Sequence, residues 1–330
     1  MAMIARRLAQ LVVVVILSTL FAFSLLRLFP GDAADAVIPY GTRAQKAQFR
    51  ADTGLDQPFL EQYTTWLGNL VQGDFGKDYQ SNTPVSQKLE HALPASLQLM
   101  LYAQILALIV AIPLGVFTAY RAGTKSDRAV NTGAFALLAL PSFVLALALA
   151  YWVGVKWQPD IPGLGQIPVS GYEPGWLEPL FGVPSGDLGQ HFATMLLPAI
   201  SLAAGLVAVY MRLLRSDMIA TLQENFITMA RSKGLSDKRI LWRHALRPSS
   251  LTLLTVAGLN FGTLIGGAVA VEVIFQIPGI GTLIYQAINA RQIVELQSYI
   301  AIIAIGYVLI NFTIDALYVM LDPRIRRARA

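Results

Sequence analysis

Residues 93–120 read LPASLQLMLYAQILALIVAIPLGVFTAY and carry no charged side chain. A helix needs about 20 mostly apolar residues to cross the hydrocarbon core of a bilayer. Because lipid offers the backbone no hydrogen-bond partner, such a run must bond its own N–H and C=O groups, and it does so as a helix. This stretch alone predicts a protein that spans a membrane.

Apolar runs of similar length recur along all 330 residues, of which 55% are hydrophobic and 14% charged. Soluble domains carry about 25% charged residues. The fold class we predict is therefore all-α integral membrane. We place about six transmembrane helices at Leu8–Leu28, Leu93–Tyr120, Ala129–Val155, Phe192–Met211, Pro248–Val271 and Gln297–Tyr318.

Basic residues assign the two sides of the membrane, because cytoplasmic loops carry an excess of Lys and Arg. Residues 212–247 hold eight bases against three acids, whereas residues 156–191 hold one base, Lys156, and four acids. Arginines also precede the first span and follow the last. We expect a multi-pass protein of the cell membrane with both termini in the cytoplasm.

The N-terminus has an alternative interpretation as a secretory signal. Two arginines, an apolar run and the small residues Ala34 and Ala36 resemble a signal peptide with its cleavage site. The run from Leu8 to Leu26 is 19 residues long, which exceeds the usual core of about 7–15 residues. A retained first span is the preferred prediction.

An extracytoplasmic helical loop is predicted over residues 30–92. Pro58 suits the start of a helix, and apolar residues then recur at helical spacing. They are Phe59, Tyr63, Trp66, Leu67 and Leu70. Such a stripe fits either a helix lying at the membrane interface or a helix packed on the other spans.

The cytoplasmic stretch from Asp217 to Pro248 predicts a bent helical element. Gln223–Lys233 is a plausible short helix with Phe226, Met229 and Ala230 on one side. Gly234 stands where a helix end needs a left-handed residue, and Ser236 can cap a second helix. The bases here could serve only to set topology, but apolar residues among them favour a docking element.

The same stretch carries a family resemblance. The segments ITMARSKGLS (227–236) and LWRHALR (241–247) resemble the EAA-type cytoplasmic loop of ABC importer permeases, although the namesake Glu-Ala-Ala reads Thr228-Met229-Ala230 here. Further matches to the dipeptide/oligopeptide (peptide/nickel) permease family span the chain, and the long loop after the first span is typical of the B-type subunit. They are FPGD (29–32), GLDQP (54–58), GDFG (73–76), LPAS (93–96), IPLG (112–115), LPSF (140–143), LPA (197–199), MRLLRS (211–216), EVIFQIPGIG (272–281) and LDPRIR (321–326).

The resemblance implies a type I ABC importer transmembrane domain. It divides the chain into an N-terminal end and first span (1–29), the outer loop (30–92) and a permease core (93–330) with its coupling loop at 212–247. Its implied partners are a second homologous permease, two ATP-binding subunits, an extracytoplasmic substrate-binding protein and membrane lipid, with no nucleic acid. The implied function is ATP-driven import of dipeptides or oligopeptides.

A short coupling helix is implied to enter a cleft of the ATPase and to move when ATP closes the ATPase pair. The residues expected to form this coupling site are Glu224, Phe226, Thr228, Met229, Ala230, Arg231, Lys233, Gly234 and Leu235. ATP and Mg²⁺ are expected in the partner subunits and no cofactor in this chain, which lacks a G-x-x-x-x-G-K-[ST] motif.

An outer gate that meets the binding protein is expected after the fifth span. The segment begins with an acidic residue in apolar surroundings. The proline and glycines that follow predict a turn, because proline fixes its φ and glycine accepts a positive φ. The residues are Glu272, Gln276, Pro278, Gly279 and Gly281. An ordinary loop that joins two spans is the alternative.

Other function classes remain open on the residues alone. A membrane-embedded enzyme would need ionisable residues within the spans, where only Asp315 stands clearly inside one. With no cysteine and three scattered histidines, no metal site is expected. A channel or receptor is a further class, and the same architecture could import nickel complexes or another solute.

Overall fold

A computed structural model describes residues 9, 12–21, 23–24, 33–79, 81–157, 160–161, 165–290 and 292–321. Helices dominate this part of the chain. The elements before residue 160 are α1 (Val12–Phe21), α2 (Ala33–Val37), α3 (Arg43–Asp52), α4 (Phe59–Val71), α5 (Val85–Tyr120), α6 (Lys125–Ala139), α7 (Ser142–Leu149) and a π-helical turn (Ala150–Trp157).

The later elements begin with a two-residue antiparallel pair, β1 (Asp160–Ile161) and β2 (Gly165–Gln166), in which Asp160 lies opposite Gln166. A 3₁₀ turn (Glu178–Phe181) follows. The remaining helices are α8 (Leu188–Leu222), α9 (Asn225–Ser232), α10 (Asp237–Arg239), a π-helical turn (Ile240–Ala245), α11 (Leu246–Phe275), α12 (Ile280–Asn289) and α13 (Ile293–Leu321).

Four helices in the described residues are long and apolar enough to cross a membrane: Val85–Tyr120, Leu188–Leu222, Asp237–Phe275 and Val294–Thr313. A fifth candidate is the bent pair Lys125–Ala139 and Ser142–Trp157. These confirm the all-α membrane fold class. The first predicted span, Leu8–Leu28, lies partly outside the described residues, which show a helix over Val12–Phe21.

The predicted span Ala129–Val155 is not a straight helix. Its two halves meet at 97°, with Leu140 in an extended conformation (φ −88°, ψ 120°) before Pro141. Proline disfavours the helical conformation of the residue before it and has no N–H to donate. The hydropathy of this run is uniform, so the bend is visible only as the dipeptide Leu140-Pro141.

The described residues form two compact units. The first comprises Met1–Ser96, Leu177–Pro184 and Pro278–Phe312, and the second comprises Leu97–Trp176, Ser185–Ile277 and Thr313–Ala330. Two of the five boundaries fall within helices, after Ser96 in α5 and after Phe312 in α13.

Within the first unit, α4 packs on the protein through the stripe seen in the sequence. Tyr63 and Trp66 are buried beside Phe23 and Ala301, and Phe59, Leu67 and Leu70 pack against them. The Tyr63 hydroxyl also lies 3.0 Å from the Thr19 hydroxyl. Of the two interpretations of this stripe, the structure therefore supports packing on the other helices.

A polar network joins residues 78–88 of the first unit to the start of α13. The Lys88 ammonium lies 2.5 Å from both Asp78 and Glu295. The Gln292 amide donates to Asp78 at 3.1 Å and accepts the backbone N–H of Tyr79. These contacts hold residues 75–79 against α13.

The second unit is built around α8, which packs against α6, α7 and α11. Its apolar core includes Tyr210, Met211, Leu214 and Met218 of α8, all fully buried. Residues of α9 and of the turn Ile240–Ala245 close the same core. The predicted cytoplasmic element is therefore part of the folded unit and not a free loop.

Candidate functional site: helix α9 and the glycine corner

Helix α9 divides its apolar residues between two faces. Ile227 and Ala230 are buried in the core of the second unit, whereas Phe226 is 45% and Met229 is 62% exposed. The sequence placed Phe226, Met229 and Ala230 on one side, and the structure separates Ala230 from the other two. Ala230 therefore anchors the helix, and the surface offered to a partner consists of Phe226 and Met229.

The end of α9 is fixed by glycine. Gly234 has φ +78°, and its N–H donates to the carbonyl of Arg231 at 2.9 Å. The N–H of Leu235 donates to the carbonyl of Ala230 at 3.3 Å. This pair of bonds defines a Schellman motif, which requires a left-handed residue at the position of Gly234. The corner predicted from the sequence is present.

A second helical arm leaves the corner at Ser236, whose backbone caps α10, although its side chain makes no capping bond. The arm continues from Asp237 to Phe275 as one apolar helix. The Tyr120 hydroxyl at the end of α5 donates to Asp237 at 3.2 Å. Ile240 and Leu241 are buried, while Trp242 is half-exposed on the outside of the arm.

Positive charge surrounds this surface. Arg231, Lys233, Lys238, Arg239, Arg243 and Arg247 are all exposed, and among the described residues none of the six forms an ion pair. Glu224 caps α9 and Thr228 is exposed beside Met229. An apolar pair with a basic rim suits a docking partner whose cleft is apolar at its floor and acidic at its edge.

A buried ion pair braces the elements on which this surface rests. Asp127, at the start of α6, is 3% exposed. Arg215 of α8 donates to both of its oxygens, at 2.8 and 2.7 Å. The Gly123 N–H and the Asn131 amide add bonds of 2.9 and 2.7 Å. The loop after α5 is thereby tied to α8 one turn before Met218.

The turn between α11 and α12 holds the predicted gate residues. Glu272, Gly279 and Gly281 are buried, whereas Gln276 and Pro278 are exposed. The left-handed residue is Gln276, with φ +56°, and Gly279 is extended with φ −93°. The expectation that glycine supplies positive φ here is wrong, because the helix end at Gln276 already reverses the chain.

Most of the sequence matches two family descriptions. Residues 111–327 match "Binding-protein-dependent transport system inner membrane component", and residues 1–100 match the N-terminal part of such membrane components. The chain belongs to this inner membrane component family. Its members are permease subunits of ABC importers, which agrees with the fold class described above.

Named relatives of this permease cover its full length. It is 35% identical over 336 residues to the di/tripeptide transport system permease protein DppB of Pseudomonas aeruginosa, with 99% of each chain covered. It is 36% identical over 326 residues to the oligopeptide transport system permease protein AppB of Bacillus subtilis, with 98% of this chain and 99% of that one covered.

Among solved structures, the permease is similar to a chain of the MetNI methionine ABC transporter in an inward-facing conformation. The TM-score is 0.54 at 15% identity, and the match covers 72% of this chain and 97% of that chain. At this identity the likeness supports the fold alone, which is that of a type I importer membrane domain.

Sequence reasoning missed several residues of the permease that the structure shows to matter. Ile227 was not singled out, although it is fully buried beneath α9. Trp242 was noted only within a motif. Asp127 is the lone acid among Arg121, Lys125 and Arg128 in the sequence, and that isolation is a usable signal for a buried partner of an arginine.

Proposed function

We propose that this permease forms half of the translocation path of an ATP-driven importer of dipeptides or oligopeptides. Full-length similarity to permeases named for di/tripeptide and oligopeptide transport supports the substrate class. The observation that carries the coupling role is the exposed pair Phe226 and Met229, presented by a helix whose opposite face is anchored in the core.

The partners follow from this role. A second homologous permease completes the path, two ATP-binding subunits hold ATP and Mg²⁺ and hydrolyse the ATP, and an extracytoplasmic binding protein delivers the peptide. Closure of the ATPase pair moves α9 together with the core that it contacts, because Ile227 and Ala230 join helix and core into one packed body. The transport cycle is a two-state switch biased by ATP.

Uptake by proteoliposomes tests the proposal. The chain is reconstituted with its second permease, ATPases and binding protein, and accumulation of a labelled dipeptide is measured with and without internal ATP. Accumulation that requires both ATP and binding protein is expected. Passive flux without ATP would make the chain a channel, and chemical conversion of the peptide would make it an enzyme.

The solute itself is decided by the same assay. Competition with dipeptides, longer peptides and nickel complexes ranks the substrates, because specificity in such importers resides largely in the binding protein. Peptides are expected to compete at lower concentrations than nickel complexes. The reverse order would assign the chain to nickel import within the same architecture.

The proposed topology places both termini in the cytoplasm and residues 30–92 outside. The chain has no cysteine, so single cysteines report sidedness directly. Gln48 and Lys125 are both exposed in the structure. An impermeant thiol reagent on intact cells is expected to label Gln48→Cys and to spare Lys125→Cys until the membrane is opened. Labelling in the opposite order would invert the topology.

We also propose that the α11–α12 turn meets the binding protein. The exposed residues Gln276 and Pro278 form the accessible part of this turn, while Glu272, Gly279 and Gly281 are buried. Pro278→Cys is expected to crosslink to the binding protein during ATP turnover, and Lys125→Cys, on the other side of the membrane, is the matched control. If Pro278→Cys never crosslinks and loaded binding protein still stimulates the ATPase of this variant normally, the turn is an ordinary loop that joins two spans.

A further inference from the structure

A cavity of about 160 Å³ lies within the first unit. It is lined by parts of two motifs that the transport function does not use, GLDQP (54–58) and GDFG (73–76), together with α4 and the start of α13. One water molecule occupies about 30 Å³ of liquid, and drug-sized ligands need pockets of about 300 Å³ or more. The cavity therefore suits a small molecule.

Two buried polar side chains line this cavity without a partner among the described residues. Trp66 of α4 is 8% exposed, and its indole N–H is buried with no hydrogen-bond acceptor. Gln297 of α13 is 5% exposed, and its amide makes no hydrogen bond within the described part of the chain. A buried donor left without an acceptor is destabilising, so the Trp66 N–H favours a polar occupant. The amide of Gln297, which also lines the cavity, is a second group able to bond to that occupant.

The surrounding lining is built to keep this space open. The Gln62 amide donates to the carbonyls of Leu55 and Gln57 at 2.8 Å each, which holds the GLDQP loop as one wall. Tyr79 also lines the cavity, and burial raises the pKa of its hydroxyl to about 12. The walls are therefore fixed by bonds that leave the cavity-facing groups available.

The charges of the lining residues limit the kind of ligand that the cavity can bind. Among the described lining residues Asp74 is the only charged one, and it is exposed, with one oxygen accepting the Gly76 N–H at 2.9 Å. No cationic side chain lines the cavity within the described residues, so a carboxylate or phosphate ligand would enter without a counter-charge. An ammonium group at Asp74 and an amide at Trp66 and Gln297 match the lining.

We propose that this cavity binds a small molecule that carries a primary ammonium group beside an amide. The Trp66 N–H donates to the amide oxygen, Gln297 pairs with the amide, and Asp74 receives the ammonium at the open end. The site lies within the first unit, whereas α9 belongs to the second unit.

Saturation-transfer NMR with the full-length chain in lipid nanodiscs tests the site, with glycinamide as the probe. Wild-type protein is expected to bind glycinamide at millimolar concentration. Trp66→Phe and Gln297→Leu, which remove hydrogen-bonding groups on two different helices, should each weaken binding about tenfold. Trp157→Phe and Gln48→Leu make the same chemical changes at exposed positions and should leave binding unchanged.

Acetamide, which lacks the ammonium, tests the role of Asp74. Asp74→Asn should lower the affinity for glycinamide to the affinity that wild-type protein has for acetamide. The same substitution should leave the affinity for acetamide unchanged. Equal glycinamide binding in wild type, Trp66→Phe and Gln297→Leu, or none in wild type, would overturn the site. Because the readout needs neither ATP nor transport, its failure leaves the permease function standing.

Discussion

Gly234→Pro is expected to abolish ATP-driven uptake while the protein still inserts into the membrane. Proline fixes φ near −65° and has no N–H, whereas Gly234 has φ +78° and donates to Arg231. The mismatch costs about 3 kcal/mol or more, which unwinds the end of α9 and displaces Met229. Proteoliposome uptake measures the loss, and ATPase stimulation by loaded binding protein should fall with it.

The matched control is Gly182→Pro. Gly182 also has a left-handed φ, of +82°, and its N–H closes a turn onto Pro179, but it lies far from the coupling element in sequence and in the other unit. This variant should retain uptake. Met229→Glu provides a second test that leaves the fold intact, because Met229 is 62% exposed. Wild-type uptake in both Gly234→Pro and Met229→Glu would refute the coupling assignment.

Asp127→Ala is expected to lower the stability of the second unit strongly. The variant leaves Arg215, whose side chain is 27% exposed, without its partner, and the loss of these charged hydrogen bonds costs about 1.5–3 kcal/mol. Arg215 donates two bonds to Asp127, and Gly123 and Asn131 would lose their acceptor as well. Thermal melting of the purified protein should show a clear drop in Tm.

A double-mutant cycle separates the ion pair from general disruption. Arg215→Met combined with Asp127→Ala should recover part of the lost stability, because no buried charge is then left alone. Asp35→Ala is the control, since its pair with Lys46 is 54% exposed at the carboxylate and exposed pairs contribute little. Additive losses in the double variant, or an equal loss in Asp35→Ala, would contradict the bracing role.

The all-α membrane fold class, the straight spans of α5, α8, α11 and α13 and the corner at Gly234 could be predicted from the sequence, because each depends on local chemistry. A run such as residues 93–120 must cross as a helix wherever it lies, since lipid leaves its backbone no other partner. A helix end in the left-handed region favours glycine whatever surrounds it. The stripe on α4 was likewise a local pattern, although only packing showed that it contacts the other helices.

The faces of α9 were decided by the tertiary structure. Apolar residues occur on both sides of this short helix, Ile227 and Ala230 on one and Phe226 and Met229 on the other. Hydrophobicity alone cannot rank two such faces. The core formed by α8 and the turn after Ile240 buries the side with the smaller residue, which leaves the larger side chains for a partner.

Contacts between segments that are distant in the chain could not be predicted from the sequence either. Asp127 and Arg215 are 88 residues apart, and the cavity brings Gln297 beside Trp66 and the GLDQP loop. Such pairings depend on how helices pack, and many packings satisfy the same apolar pattern. The sequence by itself therefore determined which segments enter the membrane and where the coupling corner bends, because backbone bonding in lipid and the φ of glycine are local. Only the tertiary structure decided which polar groups meet, because burial of a charge or a donor is a property of its neighbours.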